Sequence, residues 1–169
     1  SKASSHRCRR SCVTSSRAVL GDYEVWFQRA CGEVSLHPVE LYAGEVPPSV
    51  STFDGVIMTG SPLSVTQPTE WMERAGDFML DAAERGKPVL GVCFGHQLLA
   101  WRHGARIAKN PLGRELGTVH VELTPAGRRS PLFEGFPHRF EVQATHEDLV
   151  LVGGGLEVLA SNTACGVQA

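Results

Sequence analysis

The sequence has 169 residues, 42% of them hydrophobic and 20% charged, with a formal net charge of −2. That is an ordinary globular composition, and length alone predicts one domain that buries roughly 70% of its unfolded surface. No apolar run nears the ~20 residues of a membrane helix, near-neutral charge gives no case for a nucleic-acid partner, and five scattered cysteines argue for a reducing compartment over a disulfide framework.

Charge is placed unevenly. Residues 1–17 hold five basic groups, six serines and no acid. Residues 1–20 therefore read as a disordered or atypical N-terminal segment. The Arg- and Ser-rich start also has transit-segment character, and it lacks the apolar stretch of a secretory signal. Cys8 and Cys12 have ligand-like spacing, but no second pair follows, so no metal is expected.

From Gly21 the pattern is regular. Asp22 is a candidate N-cap, and Tyr23, Trp26, Phe27 and Ala30 fall at helical spacing, predicting a helix over 22–31 ended by Gly32. Val34–Leu41 leans to β structure but carries Pro38, which predicts an edge or irregular strand. Phe53–Thr59 reads as a buried parallel strand running into the loop Gly60-Ser61-Pro62. Glu70–Arg85 is the clearest helix, with Trp71, Ala75, Phe78, Met79, Ala82 and Ala83 as its apolar stripe. A second buried strand is expected over Val89–Val92, and a helix from Gly95 to His103. Beyond it the pattern turns antiparallel: Thr118–Leu123 alternates with Val119, Val121 and Leu123 on one face, and Arg139–Ala144 and Glu157–Ser161 are further strands. Gly153-Gly154-Gly155 reads as a loop. The alternation predicts an α/β fold, a mostly parallel open sheet flanked by helices with antiparallel strands appended.

The chemistry concentrates in Gly91-Val92-Cys93-Phe94-Gly95-His96-Gln97. Small residues two before and two after a nucleophile form the strand–turn–helix elbow. The turn is strained at the nucleophile, and a Cβ at Gly91 or Gly95 would meet neighbouring backbone. The thiol would sit at a helix N-terminus, where the macrodipole favours thiolate. The plain alternative is a small buried cysteine at a strand end.

GVCFGHQLLA resembles the nucleophile segment of class I (triad-type) glutamine amidotransferases, whose pattern is G-x-C-x-G-x-Q. FDGVIMTGSPLSV resembles the strand and oxyanion loop of that family. PLGRELGTVHVELT and FEVQATHED resemble later segments, and GDYEVWF and EWMERAGDFML fit stand-alone members similar to the amidotransferase domain of GMP synthase. The likeness covers residues 21–169 and implies a flavodoxin-like fold. It implies that Cys93 attacks the carboxamide of glutamine, forms a γ-glutamyl thioester and releases ammonia to an acceptor enzyme on a partner chain. It implies an oxyanion hole from the backbone N–H groups of Gly60 and Phe94. Gln97 would hold the substrate, with Leu116, Gly117, Thr145, His146 and Glu147 as weaker pocket candidates. No cofactor or membrane is implied, and a cytoplasmic setting is expected.

Two departures qualify the resemblance. The family completes its triad with a His-x-Glu pair, usually His-Pro-Glu, on a late loop. No His-Pro-Glu follows Cys93, so the 21–169 domain is expected to be truncated and this chain inactive. His146 reads as pocket wall, His96 as a poor candidate base, and His103 and His120 as surface positions. Residues 8–20 also make a poor central strand, so the first strand is expected to be absent or replaced. The alternatives are a non-catalytic relative that binds glutamine or a partner, and a Cys-type α/β hydrolase.

Overall fold

The computed structural model describes residues 9–13, 17–18, 21–151 and 153–169. They fall into two compact units, Ser1–Ser64 with Pro68–Leu99, and Val65–Gln67 with Ala100–Ala169. In chain order the elements are β1 (Arg9–Val13), β2 (Arg17–Ala18), β3 (Gly21–Asp22), α1 (Tyr23–Cys31), β4 (Ser35–Val39), β5 (Val56–Met58), α2 (Glu70–Glu84), β6 (Val89–Gly91) and α3 (Phe94–Arg102). The antiparallel half follows as β7 (Arg106–Lys109), β8 (Glu115–Leu123), β9 (Arg139–His146), β10 (Asp148–Leu151) and β11 (Ala160–Ser161).

In the first unit a four-stranded sheet runs in the order β4-β1-β5-β6, with every pairing parallel. Parallel neighbours need crossover connections, and the intervening helices supply them. β4 takes the edge, as its Pro38 requires. β5 is buried along its whole length: Val56, Ile57 and Met58 are all core residues. The helix expected over 22–31 is α1, and Gly32 ends it with φ +60°.

The segment expected to lack a first strand does not lack one. Arg9–Val13 forms β1, inside the sheet, in register with Ser35–Val39 on one side and Val56–Met58 on the other. Ladder bonds to two neighbours come from the backbone and act whatever the side chains are, so they override weak β propensity. Residues 1–8, 14–16 and 19–20 lie outside the described residues. So does the Cys8 half of the Cys8–Cys12 reading, and the Asp22 side chain proposed as a cap.

Two further expectations shift. The buried face of α2 is Met72, Ala75, Gly76, Met79 and Ala82, so Met72 and Gly76 replace Trp71, Phe78 and Ala83 in the innermost row. Trp71 and Phe78 are half-buried beside them; Phe78 tilts against Phe53 at 5.6 Å between ring centroids. Val89–Val92 is not a fully buried strand either. β6 pairs only with β5, and Leu90 is 37% exposed. An apolar run fits an outer strand of a parallel sheet as well as an inner one, and sequence cannot tell which.

The second unit is antiparallel. β8 pairs along its length with β9 and briefly with β11, and β7 pairs with β10. Val121, Leu123 and Ala160 form one apolar cluster with Val119, Phe133, Phe140, Val142 and Ala169 against it. The alternation read from Thr118–Leu123 is the buried face of β8. β7 and β10 went unpredicted because four-residue strands carry too few alternations to register. The Glu157–Ser161 strand contracts to Ala160–Ser161.

Candidate active site

Every feature of the first unit's sheet converges on Cys93. β6 ends at Gly91, α3 starts at Phe94, and Cys93 lies in the bend between them with φ +53°. It is the one described non-glycine residue with positive φ. Such a conformation costs of order 1–3 kcal/mol and persists only where surrounding structure imposes it. Three backbone bonds impose it here: Val92 N–H to Met58 O (2.9 Å), Gly95 N–H to Val92 O (3.0 Å) and Gln97 N–H to Cys93 O (3.1 Å).

The flanking glycines are required by distance. A Cβ on Gly91 would stand 2.5 Å from both the carbonyl carbon and oxygen of Gly95. One on Gly95 would stand 2.3 Å from Met58 O. Gly60 differs. A Cβ there would stand 3.7 Å from Cys93 Cβ and 3.6 Å from the Tyr23 hydroxyl, ordinary contact distances. The predicted oxyanion loop is thus beside the predicted nucleophile. Cys93 is half-buried, and Phe94 is buried with its ring 5.8 Å from that of Trp71. Gln97, one turn along α3, is buried. His96 has its Nε2 sealed from solvent.

The other predicted residues lie in the second unit, on the β8–β9 ladder. Leu116 is in register with Thr145, and Gly117 with Ala144. Leu116 and Thr145 are exposed, and Gly117 takes φ +101°. Glu115 is in register with His146, one step along and therefore on the opposite, buried face. His146 Nε2 lies 2.7 Å from Glu115 Oε2. This close contact is electrostatic, since its angle falls outside hydrogen-bond geometry. Glu115 also accepts from Asn162 Nδ2 (2.5 Å) and Gln168 Nε2 (2.6 Å). Glu147 sits within 4 Å of Lys109 and Arg114. The hydrogen bond from Lys109 to Asp148 raises the lysine's pKa above its ordinary value, and burial raises that of the Cys165 thiol.

Glu115 was missed as a separate feature, although the signal was present. Extending the Val119, Val121, Leu123 alternation backward puts position 115 on the inner face. Glu115→Ala should lower stability by about 2–4 kcal/mol, because three buried or half-buried partners lose their acceptor together. Urea denaturation checks this against Leu116→Ala, an exposed neighbour expected to change stability by less than about 0.5 kcal/mol.

One His-x-Glu spacing does follow Cys93, at His120-Val121-Glu122. It is mid-strand in β8, not on a late loop. His120 is paired across the ladder with Glu141 at 3.3 Å, and Glu122 lies 3.8 Å from Arg139. Both residues are exposed, as expected of a solvated strand face. Among the described residues no group of three or more His, Cys, Asp or Glu side chains could hold a metal ion. No described helix is long and apolar enough to cross a membrane.

Comparison with known proteins agrees with this geometry. The family described as glutamine amidotransferase class-I matches residues 28–169. A GMP synthase of Aeropyrum pernix is 39% identical over 116 residues, which make up 68% of this chain and 21% of that protein. One separate subunit of the glutamine-hydrolysing GMP synthase of Methanoculleus marisnigri is 34% identical over 134 residues, or 76% of this chain and 65% of that protein. The chain therefore spans about a fifth of the long synthases it matches. Among solved structures, a glutamine amidotransferase of Thermotoga maritima superposes with a TM-score of 0.80 at 19% identity, covering 96% of this chain and 70% of that one. At that identity the likeness speaks for the fold, the flavodoxin-like α/β arrangement predicted from the alternation of strands and helices. With the match running through the elbow and onward to Ala169, the chain belongs to the class-I glutamine amidotransferase family.

Proposed function

We propose that Cys93 is the nucleophile of a glutamine-hydrolysing site. Its sulfur attacks the side-chain carboxamide carbon, and the C–N bond breaks to leave a γ-glutamyl thioester and ammonia. Water then cleaves the thioester to glutamate. The backbone N–H groups of Gly60 and Phe94 would stabilise the oxyanion, a contribution worth about 2.7–4 kcal/mol per donor in comparable sites. Gln97 would hold the substrate, with Leu116, Gly117, Thr145 and His146 as further pocket residues. The observation that carries this reading is the strained Cys93 turn with Gly60 alongside it.

Relatives named GMP synthase, one of them a stand-alone subunit of such an enzyme, support a partner synthase as the ammonia acceptor. Ammonia released without one protonates and escapes. No cofactor enters the reaction. We place the protein in the cytoplasm, where Cys31, Cys93 and Cys165, none of them in a disulfide, stay reduced.

Turnover also needs a base to take the thiol proton and return it to the departing nitrogen. In the unit that carries Cys93 the described histidines are His37, on the edge strand, and His96, with its Nε2 buried. The 169-residue polypeptide should therefore release no ammonia from glutamine above a blank. Release that Cys93→Ala abolishes would overturn this expectation. Binding without turnover, the second reading, is favoured by the same pair of ill-placed histidines. The site itself is tested by a chloromethyl ketone analogue of glutamine, with the modified cysteines identified by peptide mass mapping. Cys93 should react at least about tenfold faster than Cys31, because the helix terminus stabilises its thiolate. Equal rates would remove the nucleophile assignment.

A further inference from the structure

Tyr23 begins α1, far from Cys93 in sequence, and reads in sequence only as part of an apolar helix face. Its ring meets Trp26 edge-on, with centroids 5.7 Å apart, which fixes the direction of the ring. Its hydroxyl end arrives at Gly60. One point, the position of a Cβ on Gly60, is 3.6 Å from the Tyr23 oxygen, 3.8 Å from its Cζ and 3.7 Å from Cys93 Cβ. Hydroxyl and nucleophile thus flank one methyl-sized space over the glycine. An acyl carbon attacked by Cys93 must approach the sulfur to about 3–3.5 Å, and its oxygen must lie close to that carbon, in the same confined space. A tyrosine with a packed ring and a polar tip at such a place usually has a partner for its O–H.

We infer that the Tyr23 hydroxyl donates a hydrogen bond to the carbonyl oxygen of the carboxamide seated over Cys93. It is a side-chain donor beside the backbone N–H groups, selective for an acyl or amide carbonyl. The inference rests on the glutamine-site reading of Cys93. It assigns a contact to substrate and no proton transfer.

Tyr23→Phe keeps the ring and its Trp26 contact and removes only the donor. The probes are the chloromethyl ketone analogue of glutamine, which presents a carbonyl at the site, and iodoacetamide, which reports bare thiol reactivity. In Tyr23→Phe the haloketone should modify Cys93 about tenfold more slowly, the scale of one lost hydrogen bond. Iodoacetamide should change by less than about twofold, since the thiol's own ionisation depends on the helix terminus rather than on Tyr23. An unchanged haloketone rate overturns the inference, and so does equal slowing of both probes, which would mark a structural role. If the parent chain modifies Cys93 no faster than Cys31, the glutamine reading falls and takes this one with it. If the parent prefers Cys93 and Tyr23→Phe retains the preference in full, only the Tyr23 assignment falls.

Discussion

Gly95→Ala should cost about 3 kcal/mol or more of folding stability, at or above the upper end of what one added methyl does in a tight core. The new Cβ would stand 2.3 Å from Met58 O, 2.8 Å from Met58 C and 2.7 Å from Met58 Cγ. A flexible side-chain tip could swing away; the carbonyl cannot. Met58 O accepts the Val92 N–H at 2.9 Å, and Met58 belongs to β5, which is paired on one side with β1 and on the other with β6. Moving the carbonyl breaks the bond that holds the Cys93 bend, and moving α3 breaks the Gly95-to-Val92 bond. Urea unfolding of parent and variant measures the loss. Gly166→Ala is the control, since a Cβ there meets nothing within 4 Å and its backbone is not left-handed. It should shift stability by less than about 0.5 kcal/mol. If Gly95→Ala unfolds with the parent, the close approach of elbow and strand is wrong.

That elbow was legible in the sequence for the same reason that it is intolerant. Only glycine fits two residues either side of Cys93, so the spacing records a distance. The helices at 23–31 and 70–84 were legible because their periods span two turns or more. Placement within the sheet was not. Leu90 and Ile57 look alike in a string of letters, yet Leu90 is on a strand with one neighbour and Ile57 on a strand with two. β1 was misread because side-chain propensity was weighed where backbone pairing on both edges decides. Tyr23 and Glu115 were missed for another reason. Each acts through partners distant in sequence: Tyr23 beside Gly60, and Glu115 with His146, Asn162 and Gln168. One-dimensional spacing has no access to such neighbours. His146 shows the converse limit. It is adjacent to Thr145 in sequence but faces the other way on the ladder, into the Glu115 network, while Thr145 is exposed beside Leu116.

Gly60→Ala should separate folding from chemistry, in contrast to Gly95→Ala. Its Cβ would meet the Tyr23 hydroxyl at 3.6 Å, Cys93 Cβ at 3.7 Å and Tyr23 Cζ at 3.8 Å, all ordinary van der Waals separations. The backbone at Gly60 is not left-handed, so alanine brings no strain there. Stability should stay within about 0.5 kcal/mol of the parent, because nothing has to shift. Yet the methyl occupies the space between hydroxyl and nucleophile that the carbonyl oxygen of a substrate has to enter. Displacing a reacting group by about 1 Å can lower a rate by about a hundredfold. The glutamine haloketone should therefore modify Cys93 of Gly60→Ala at least about tenfold more slowly, even after partial relaxation. Iodoacetamide, small and approaching the exposed side of the sulfur, should lose less than about threefold, a barrier change below about 1 kcal/mol. Full haloketone reactivity in a folded Gly60→Ala would put the acyl oxygen elsewhere, and the loop beside Cys93 would lose its place in the chemistry. A loss shared equally by both probes would mean that the methyl had disturbed the thiol itself. Only selective loss fits a carbonyl held between Gly60, Tyr23 and the bend.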